Sequence, residues 1–189
     1  MIAIHPLTPA RWTAFEALFE AQGVTRDCWC MWWRVTAQNW RAGSPEDRRD
    51  AFRNLCQTEP PGLLALDGDS AVGWVQITPR AAIPRFGASR AGRAAPGTDP
   101  AAVWAVSCFF VTRSHRRQGL MTRLARAACE HARDRGAQAV EAAAHLPADR
   151  LQWSDGFTGM VPALARAGFV ESGPRQGNRV PMRWTPPPG

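Results

Sequence analysis

The sequence predicts a mixed α/β or α+β fold built on one sheet, and three observations carry that expectation. Apolar runs on either side of Asp67-Gly68-Asp69 have the form of an antiparallel hairpin closed by a tight turn. The stretch from Ala101 to Val111 is apolar almost without interruption, as a central strand covered on both faces must be. After it, strand and helix signals alternate. The 189 residues suffice for one domain with a real core, and no run approaches the ~18 apolar residues of a membrane span.

Taken in order, Ile2 to Leu7 is a short strand. Thr8-Pro9 offers an N-cap with proline at the first helical position, and Trp12, Phe15, Leu18 and Phe19 recur at helical spacing on one buried face, up to a stop at Gly23. Cys28-Trp29-Cys30-Met31-Trp32-Trp33-Arg34 fits neither period and is assigned to a buried loop or short helix. Ser44-Pro45-Glu46-Asp47 opens a second helix running to about Thr58, with a cap residue, a proline and acids at the positive end of the dipole. Leu63 to Leu66 and Ala71 to Ile77 are the hairpin strands. From Thr78 to Pro100, proline, glycine and arginine interrupt any apolar period, which predicts a long, basic, mobile loop. The strand over Ala101 to Val111 leads to a helix from Gln118 to Arg135, with Leu120, Leu124, Ala127, Ala128 and His131 on one face and Gly136 beyond its end. A strand over Ala137 to Ala144, a helix over Phe157 to Ala167 and closing strands over Phe169 to Glu171 and Arg179 to Trp184 complete the order. Pro186-Pro187-Pro188 is a tail that cannot continue a sheet.

The net charge of +7 rests on arginine alone, since the chain has no lysine; it also has no tyrosine. Such a composition is what a GC-rich genome encodes, and it also suits an anionic partner, either nucleic acid or a polyanionic cofactor. Five cysteines at irregular spacing (Cys28, Cys30, Cys56, Cys108, Cys129) are expected to be reduced thiols rather than a disulfide framework. Met1 to Pro6 has neither a basic leader nor an apolar signal core, so the expected location is the cytoplasm.

Chemistry concentrates where the apolar strand runs into the following helix, at Val111-Thr112-Arg113-Ser114-His115-Arg116-Arg117-Gln118-Gly119-Leu120-Met121-Thr122. The first N–H groups of a helix lack intrahelical partners, and its dipole adds positive potential, so such an end can grip phosphates. Gly119 lets the backbone approach closely, and Arg116, Arg117 and Arg123 add charge. The alternative is an ordinary turn with solvated arginines.

Arg116-Arg117-Gln118-Gly119-Leu120-Met121 resembles the Arg/Gln-x-x-Gly-x-Gly/Ala signature of the GNAT superfamily of N-acetyltransferases, with Met121 where the family has Gly or Ala. Gly73-Trp74-Val75 is similar to the family's middle strand, and Ala167-Gly168-Phe169 to its late helix-to-strand Gly-Phe. Together these cover about Leu63 to Trp184 in the right order. Cys28-Trp29-Cys30-Met31-Trp32-Trp33, Trp104-x-x-x-Cys108-Phe109 and Gly136-Ala137 with Glu141 look similar to a bacterial subgroup of unassigned substrate. The resemblance implies the GNAT fold: a mixed central sheet with helices on both faces, antiparallel N-terminal strands and a strand-turn-helix cofactor site. It implies an acyltransferase in which an amine attacks the thioester of acetyl-CoA, its cosubstrate. Residues 1–189 then form a single acetyltransferase domain, with 1–60 as a helical and aromatic acceptor side, 61–185 as the cofactor-binding core and 186–189 as a tail.

By the same resemblance the cofactor site comprises Phe109, Phe110, Val111, Arg116, Arg117, Gln118, Gly119, Leu120, Met121 and Thr122, with a bulged strand offering an N–H of Phe109 through Val111 to the thioester oxygen. The family's general acid is a Tyr at the position held here by Leu164, so that acid is absent. A thiol of pKa about 8.5 leaves at pH 7 with a deficit of only ~1.5 units, so water or another side chain suffices. Glu141 and His145 are the candidate bases, then Asp155; each has a structural alternative, as an arginine's ion-pair partner, a loop residue and a helix cap respectively. Cys108 as a nucleophile competes with a buried strand cysteine, and His115 with a cap or solvent-facing residue. Trp29, Trp32 and Trp33 are candidate walls of the acceptor pocket, since aromatic faces receive an ammonium, although core packing explains them too. An Arg80 to Arg93 lid would suit an acidic or polyanionic acceptor. No metal site is expected, because Cys28 and Cys30 lack two further partners at suitable spacing.

The expected partners are a coenzyme A thioester and an amine acceptor that the sequence does not identify, with no membrane and a homodimer left open. The competing functions are a catalytically silent acyl-CoA sensor on the same fold, motivated by Leu164, and a basic nucleic-acid-binding protein. Scattered arginines and aromatics confined to apolar segments disfavour the last.

Overall fold

The computed structural model describes residues 1–21, 23–89, 92, 99, 101–147 and 156–187. The elements are β1 (Ile2–Pro6), α1 (Trp12–Glu20), α2 (Gly23–Cys28), α3 (Ala37–Ala42), α4 (Pro45–Thr58), β2 (Gly62–Asp67), β3 (Ser70–Pro79), α5 (Pro84–Ala88), β4 (Val103–Val111), α6 (Leu120–Arg133), β5 (Ala139–His145), α7 (Val161–Arg166), β6 (Val170–Glu171) and β7 (Arg179–Trp184). The strands form one seven-stranded sheet in the order β1-β2-β3-β4-β5-β7-β6. β4 and β5 run parallel and the other neighbours antiparallel, so the sheet is mixed as expected.

Local chemistry explains where the elements begin. The α4 helix starts in a full capping box: the Ser44 hydroxyl accepts from the Asp47 N–H at 3.0 Å and Asp47 returns the bond to the Ser44 N–H at 2.8 Å. The Asp67/Ser70 pair closes the hairpin, with Gly68 at φ 59°. In α1 the side chains of Trp12, Phe15, Leu18 and Phe19 are buried, the face the periodicity predicts.

Two layers cover the sheet. On one face, α6 buries Leu120, Leu124, Ala125, Ala128 and Ala132 against Val75, Val106, Phe109, Val140 and Ala142. On the other, Trp12, Phe15, Phe19, Trp29 and Phe52 pack on Leu64, Trp74 and Phe110. Gly73 sets the depth of the first layer. A Cβ there would come within 3.2 Å of the Leu120 and Leu124 side chains, so glycine lets α6 sit close to the sheet.

The structure corrects several expectations. Gly23 opens a second helix rather than only ending the first, and α1 is entered through a 3-10 turn, Pro9–Arg11, without a Thr8 side-chain cap. The stretch after Thr78 is not uniformly loop: Arg80–Ala82 is a 3-10 turn and Pro84–Ala88 a short helix, because Ile83 and Phe86 are wholly buried against Ala105 and Ala143. The remainder of that loop lies largely outside the described residues. The late helix begins only at Val161. Gly156 and Gly159 adopt positive φ, holding Phe157 and Thr158 in a turn, and Pro162 marks the first helical turn. Ala37–Ala42, capped by Thr36, is a helix the periodicity did not reveal.

Candidate active site

A single inserted residue organises the site. Along β3 and β4, Gln76 pairs with Cys108 but Ile77 with Val106, leaving Ser107 as a β-bulge. Side chains alternate along a strand, so the extra residue changes which face the sequence addresses. Val106 and Phe109, three apart, both pack under α6, while Cys108 and Phe110 face the aromatic layer. Polar partners pin the bulge: the Ser107 hydroxyl donates to Gln76 Oε1 at 2.8 Å, Gln76 Nε2 donates to the Cys30 carbonyl at 3.2 Å, and Trp33 Nε1 donates to the Ser107 carbonyl at 3.0 Å.

At the bulge the sheet parts. β4 pairs with β5 only from Val103 to Val106, whereas β5 continues along β7 to His145. The turn after residue 156 occupies the gap: the Phe109 N–H donates to the Phe157 carbonyl at 2.5 Å, and the His145 N–H to the Gly159 carbonyl at 2.8 Å.

Beyond the gap, the chain turns through Arg113–His115 and Arg116 into Arg117 at φ 61° and Gly119 at φ 76°, then enters α6. The first helical bond outside this turn is from the Arg123 N–H to the Gly119 carbonyl at 3.1 Å. The N–H groups of Leu120, Met121 and Thr122 therefore precede the helical ladder, and those of Arg117, Gln118 and Gly119 have no acceptor among the described residues. Arg116 braces the turn by donating from Nε to the Val111 carbonyl at 3.0 Å, and Gln118 Nε2 donates to the Ser114 carbonyl at 2.8 Å. Met121 packs against the core under α6, so its side chain leaves the turn's backbone accessible. His115 Nδ1 lies 2.9 Å from the Thr112 hydroxyl. The result is a row of N–H donors at the positive end of a 14-residue helix, a geometry that binds phosphate.

On the opposite face, a pocket of about 620 Å³ opens beside the bulge, lined by Trp32, Trp33, Trp40, Cys28, Cys30, Ser107 and Cys108, with Phe19, Thr25, Asp27, Phe157, Thr158 and Arg179 completing it. Of the three tryptophans expected there, Trp32 and Trp33 line it. Trp29 does not: it is 2% exposed and stacks on Trp12 and Phe19 in the aromatic core. Trp40, on the unforeseen helix α3, takes its place. Burial first, and Cys108 second, push the Cys28 thiol up to about 11, and burial raises Cys30 well above the ordinary range, so both stay protonated at neutral pH. Among the described residues no cluster of three or more His, Cys, Asp or Glu is arranged to hold a metal ion.

Neither candidate base lines this pocket. Glu141 is buried between two arginines, bonded to Arg80 through one carboxylate oxygen and to Arg183 Nη1 at 2.7 Å through the other. Both oxygens thus serve ion pairs, and Arg80, expected in a lid, is a buried structural partner. His145 is buried at the end of β5, on the same face as Glu141 and Ala143 by strand alternation. Asp155 lies outside the described residues.

Parted strands beside a helix end with open N–H donors, and a pocket across the sheet, are an arrangement that can take two substrates, one of them anionic. The chain belongs to the Acetyltransferase (GNAT) family, whose sequence profile matches residues 25–152. As a member it is an N-acetyltransferase with acetyl-CoA as cosubstrate. Solved structures share its fold. They include a GNAT-family acetyltransferase from Streptococcus pneumoniae (15% identity over 98% of this chain and 99% of that one, TM-score 0.55). A PaiA N-acetyltransferase from Thermoplasma acidophilum in complex with coenzyme A aligns at 12% identity over 98% and 99% of the two chains, TM-score 0.56. The acetyltransferase AAC(6')-Ib, in complex with paromomycin and acetyl-CoA, aligns at 15% over 97% and 93%, TM-score 0.55. No curated protein sequence matches the chain. No helix among the described residues is long and apolar enough to cross a membrane.

Proposed function

We propose that the pyrophosphate of acetyl-CoA rests on the N–H groups of Arg117 to Thr122, that its arm follows β4 along Phe109 to Val111, and that the amine reaches the thioester from the tryptophan-lined pocket. The observation that carries this reading is that the pocket and the parted strands meet at Ser107 and Cys108. The Phe109 N–H points into the gap, where the Phe157 carbonyl now holds it, so cofactor binding exchanges one acceptor for another. Transfer is direct: the amine nitrogen attacks the thioester carbon, its proton passes to a base, the C–S bond breaks and coenzyme A leaves as its thiol. His145 is the base in this reading and Glu141 the ion-paired strut beneath it. His145→Gln then removes the acidic limb of the kcat/KM profile against pH; an unchanged limb excludes His145. The reaction belongs in the cytoplasm, where acetyl-CoA and reduced cysteines coexist, and cell fractionation checks that placement.

Thermal unfolding with and without acetyl-CoA tests the site. A rise in Tm that disappears when Arg116 and Arg117 are both replaced by Glu supports it, and no shift at millimolar cofactor overturns it. Cofactor binding without thiol release across a broad amine panel would instead mark a silent acyl-CoA sensor.

A further inference from the structure

We infer that the acceptor is an apolar primary monoamine: a hydrophobic body carrying one ammonium group, rather than a polar amine or a polycation. The inference rests on the N-acetyltransferase reading above and concerns only what enters the pocket. A volume of about 620 Å³ suits a small ligand. Its aromatic walls stand edge-on to one another, Trp32 and Trp40 with centroids 4.9 Å apart at 84° and Trp32 and Trp33 6.4 Å apart at 77°. Such walls receive an apolar body by burying its surface. The lining hydroxyls are spent on the protein: Thr25 Oγ1 donates to the Phe19 carbonyl at 2.9 Å and Ser107 to Gln76 Oε1 at 2.8 Å, while the Thr158 hydroxyl accepts from Arg179 Nη1 at 2.9 Å. A polar acceptor would therefore give up its hydration among tryptophans and thiols without recovering it in hydrogen bonds.

Aromatic walls alone would also suit a cation, but here that attraction is already used. The Arg85 guanidinium lies 3.6 Å from the Trp32 ring centroid and that of Arg48 4.1 Å from the Trp40 centroid. Neither arginine is among the lining residues, so both back the walls from outside. Arg48 is fixed there by donating from Nη1 to the Gly43 carbonyl at 2.9 Å and from Nε to the Asp27 carbonyl at 2.7 Å. Among the described residues neither guanidinium has a carboxylate within ion-pair distance. A cation laid against those rings therefore meets two like charges across a ring's thickness, in a chain of net charge +7. The lining offers a positive group one seat: Asp27 is its one carboxylate among the described residues, and none of them pairs with that side chain. Cys28 and Cys30, as protonated thiols, add no second anion. One carboxylate before positively backed walls admits one ammonium, with the apolar remainder among the tryptophans. The ammonium gives up its proton before attack, the C–S bond is exchanged for a C–N bond, and coenzyme A leaves as its thiol. The product is a neutral amide with no charge left for Asp27 to hold, which favours its release.

The test compares matched acceptors by coenzyme A thiol release: hexylamine with hexamethylenediamine, which replaces a buried methyl by a second ammonium, and phenethylamine with ethanolamine, which keeps the single charge and loses the apolar body. Spermidine and kanamycin serve as polycations. The expected kcat/KM for each apolar monoamine exceeds that of its partner by at least about tenfold, with the polycations slowest. Arg85→Gln, which removes one charge from behind Trp32, should narrow the gap between hexylamine and the diamine. Asp27→Asn should raise KM for hexylamine by at least about threefold and leave kcat nearly unchanged. The acetyl-CoA shift in Tm confirms that both variants fold. A ratio of one or less in either wild-type pair, or a polycation as the best acceptor, overturns the inference and leaves the N-acetyltransferase reading standing. So does a diamine gap unmoved by Arg85→Gln together with a KM unmoved by Asp27→Asn. Thiol release with none of these amines, despite cofactor binding, overturns the inference; failure to bind acetyl-CoA at all overturns both.

Discussion

Under α6 the sheet is met by alanines: Ala125, Ala128 and Ala132 are wholly buried, and Gly73 opposite them allows Leu120 and Leu124 to seat directly on the strands. Across the sheet the contacts are between rings. Phe15 lies 4.8 Å from Trp74 and 5.4 Å from Phe52, and Phe19 packs 4.1 Å from Phe15. Small residues fix a short helix-to-sheet distance, which the proposed cofactor face needs because its N–H donors must stand at a set height above the strand edge. Large residues enclose shaped volume, which an acceptor pocket needs. One side of the molecule is therefore specified by close approach and the other by bulk, and the two should fail differently.

The largest effect is expected on the ring side. Trp74→Ala, at a side chain with no exposure and an indole N–H bonded to Cys30 Sγ at 3.1 Å, should cost about 3–5 kcal/mol by urea unfolding. A loss below 1 kcal/mol would mean that the aromatic layer collapses around the hole and that bulk is not what specifies it. Next is Glu141→Gln, which leaves Arg80 buried and Arg183 partly buried without their anion and should cost about 3 kcal/mol. A Glu141 that serves chemistry alone would leave stability unchanged and abolish turnover.

The smallest effect is a slope on the alanine side. Burial first, and Arg135 second, hold His131 of α6 down at about 4, below its ordinary 6.5, and Arg135 Nη1 donates to its Nδ1 at 3.1 Å. The folded state keeps this ring neutral where the unfolded chain protonates it. Its contribution is thus complete above about pH 6.5 and declines as the pH falls toward 4. His131→Gln should flatten unfolding free energy between pH 6.5 and 5; an equal slope in the variant would place the titrating group elsewhere.

Much of this was legible in the residues because the signals are local. The Asp67-Gly68-Asp69 turn, the Ser44-Pro45-Glu46-Asp47 start and the strand-turn-helix around Gly119 each occupy a few adjacent positions, and each folds as its sequence indicates. What escaped is made by distance. Arg80 meets Glu141 across 61 positions, and Trp33 reaches Ser107 across 74. No window along the chain contains either pair, so Arg80 reads as a loop charge, and Glu141 as a base or as the ion-pair partner of an arginine that the sequence does not name. Trp40 was missed for a related reason: α3 is six residues long, too short for periodicity to show. Trp29, flanked by the pocket-lining Cys28 and Cys30, turns inward because it and Cys30 take positive φ, a conformation that composition does not announce.

The bulge at Ser107 works like a frameshift written in space. Before it, even-numbered positions of β4 address the α6 face; after it, odd-numbered positions do. A strand that kept Ser107 but paired straight through it would deliver every downstream side chain to the wrong compartment, sending Phe109 toward the rings and Phe110 beneath the helix. On the proposed reading, two substrates meet on one strand because its second half is read out of phase with its first.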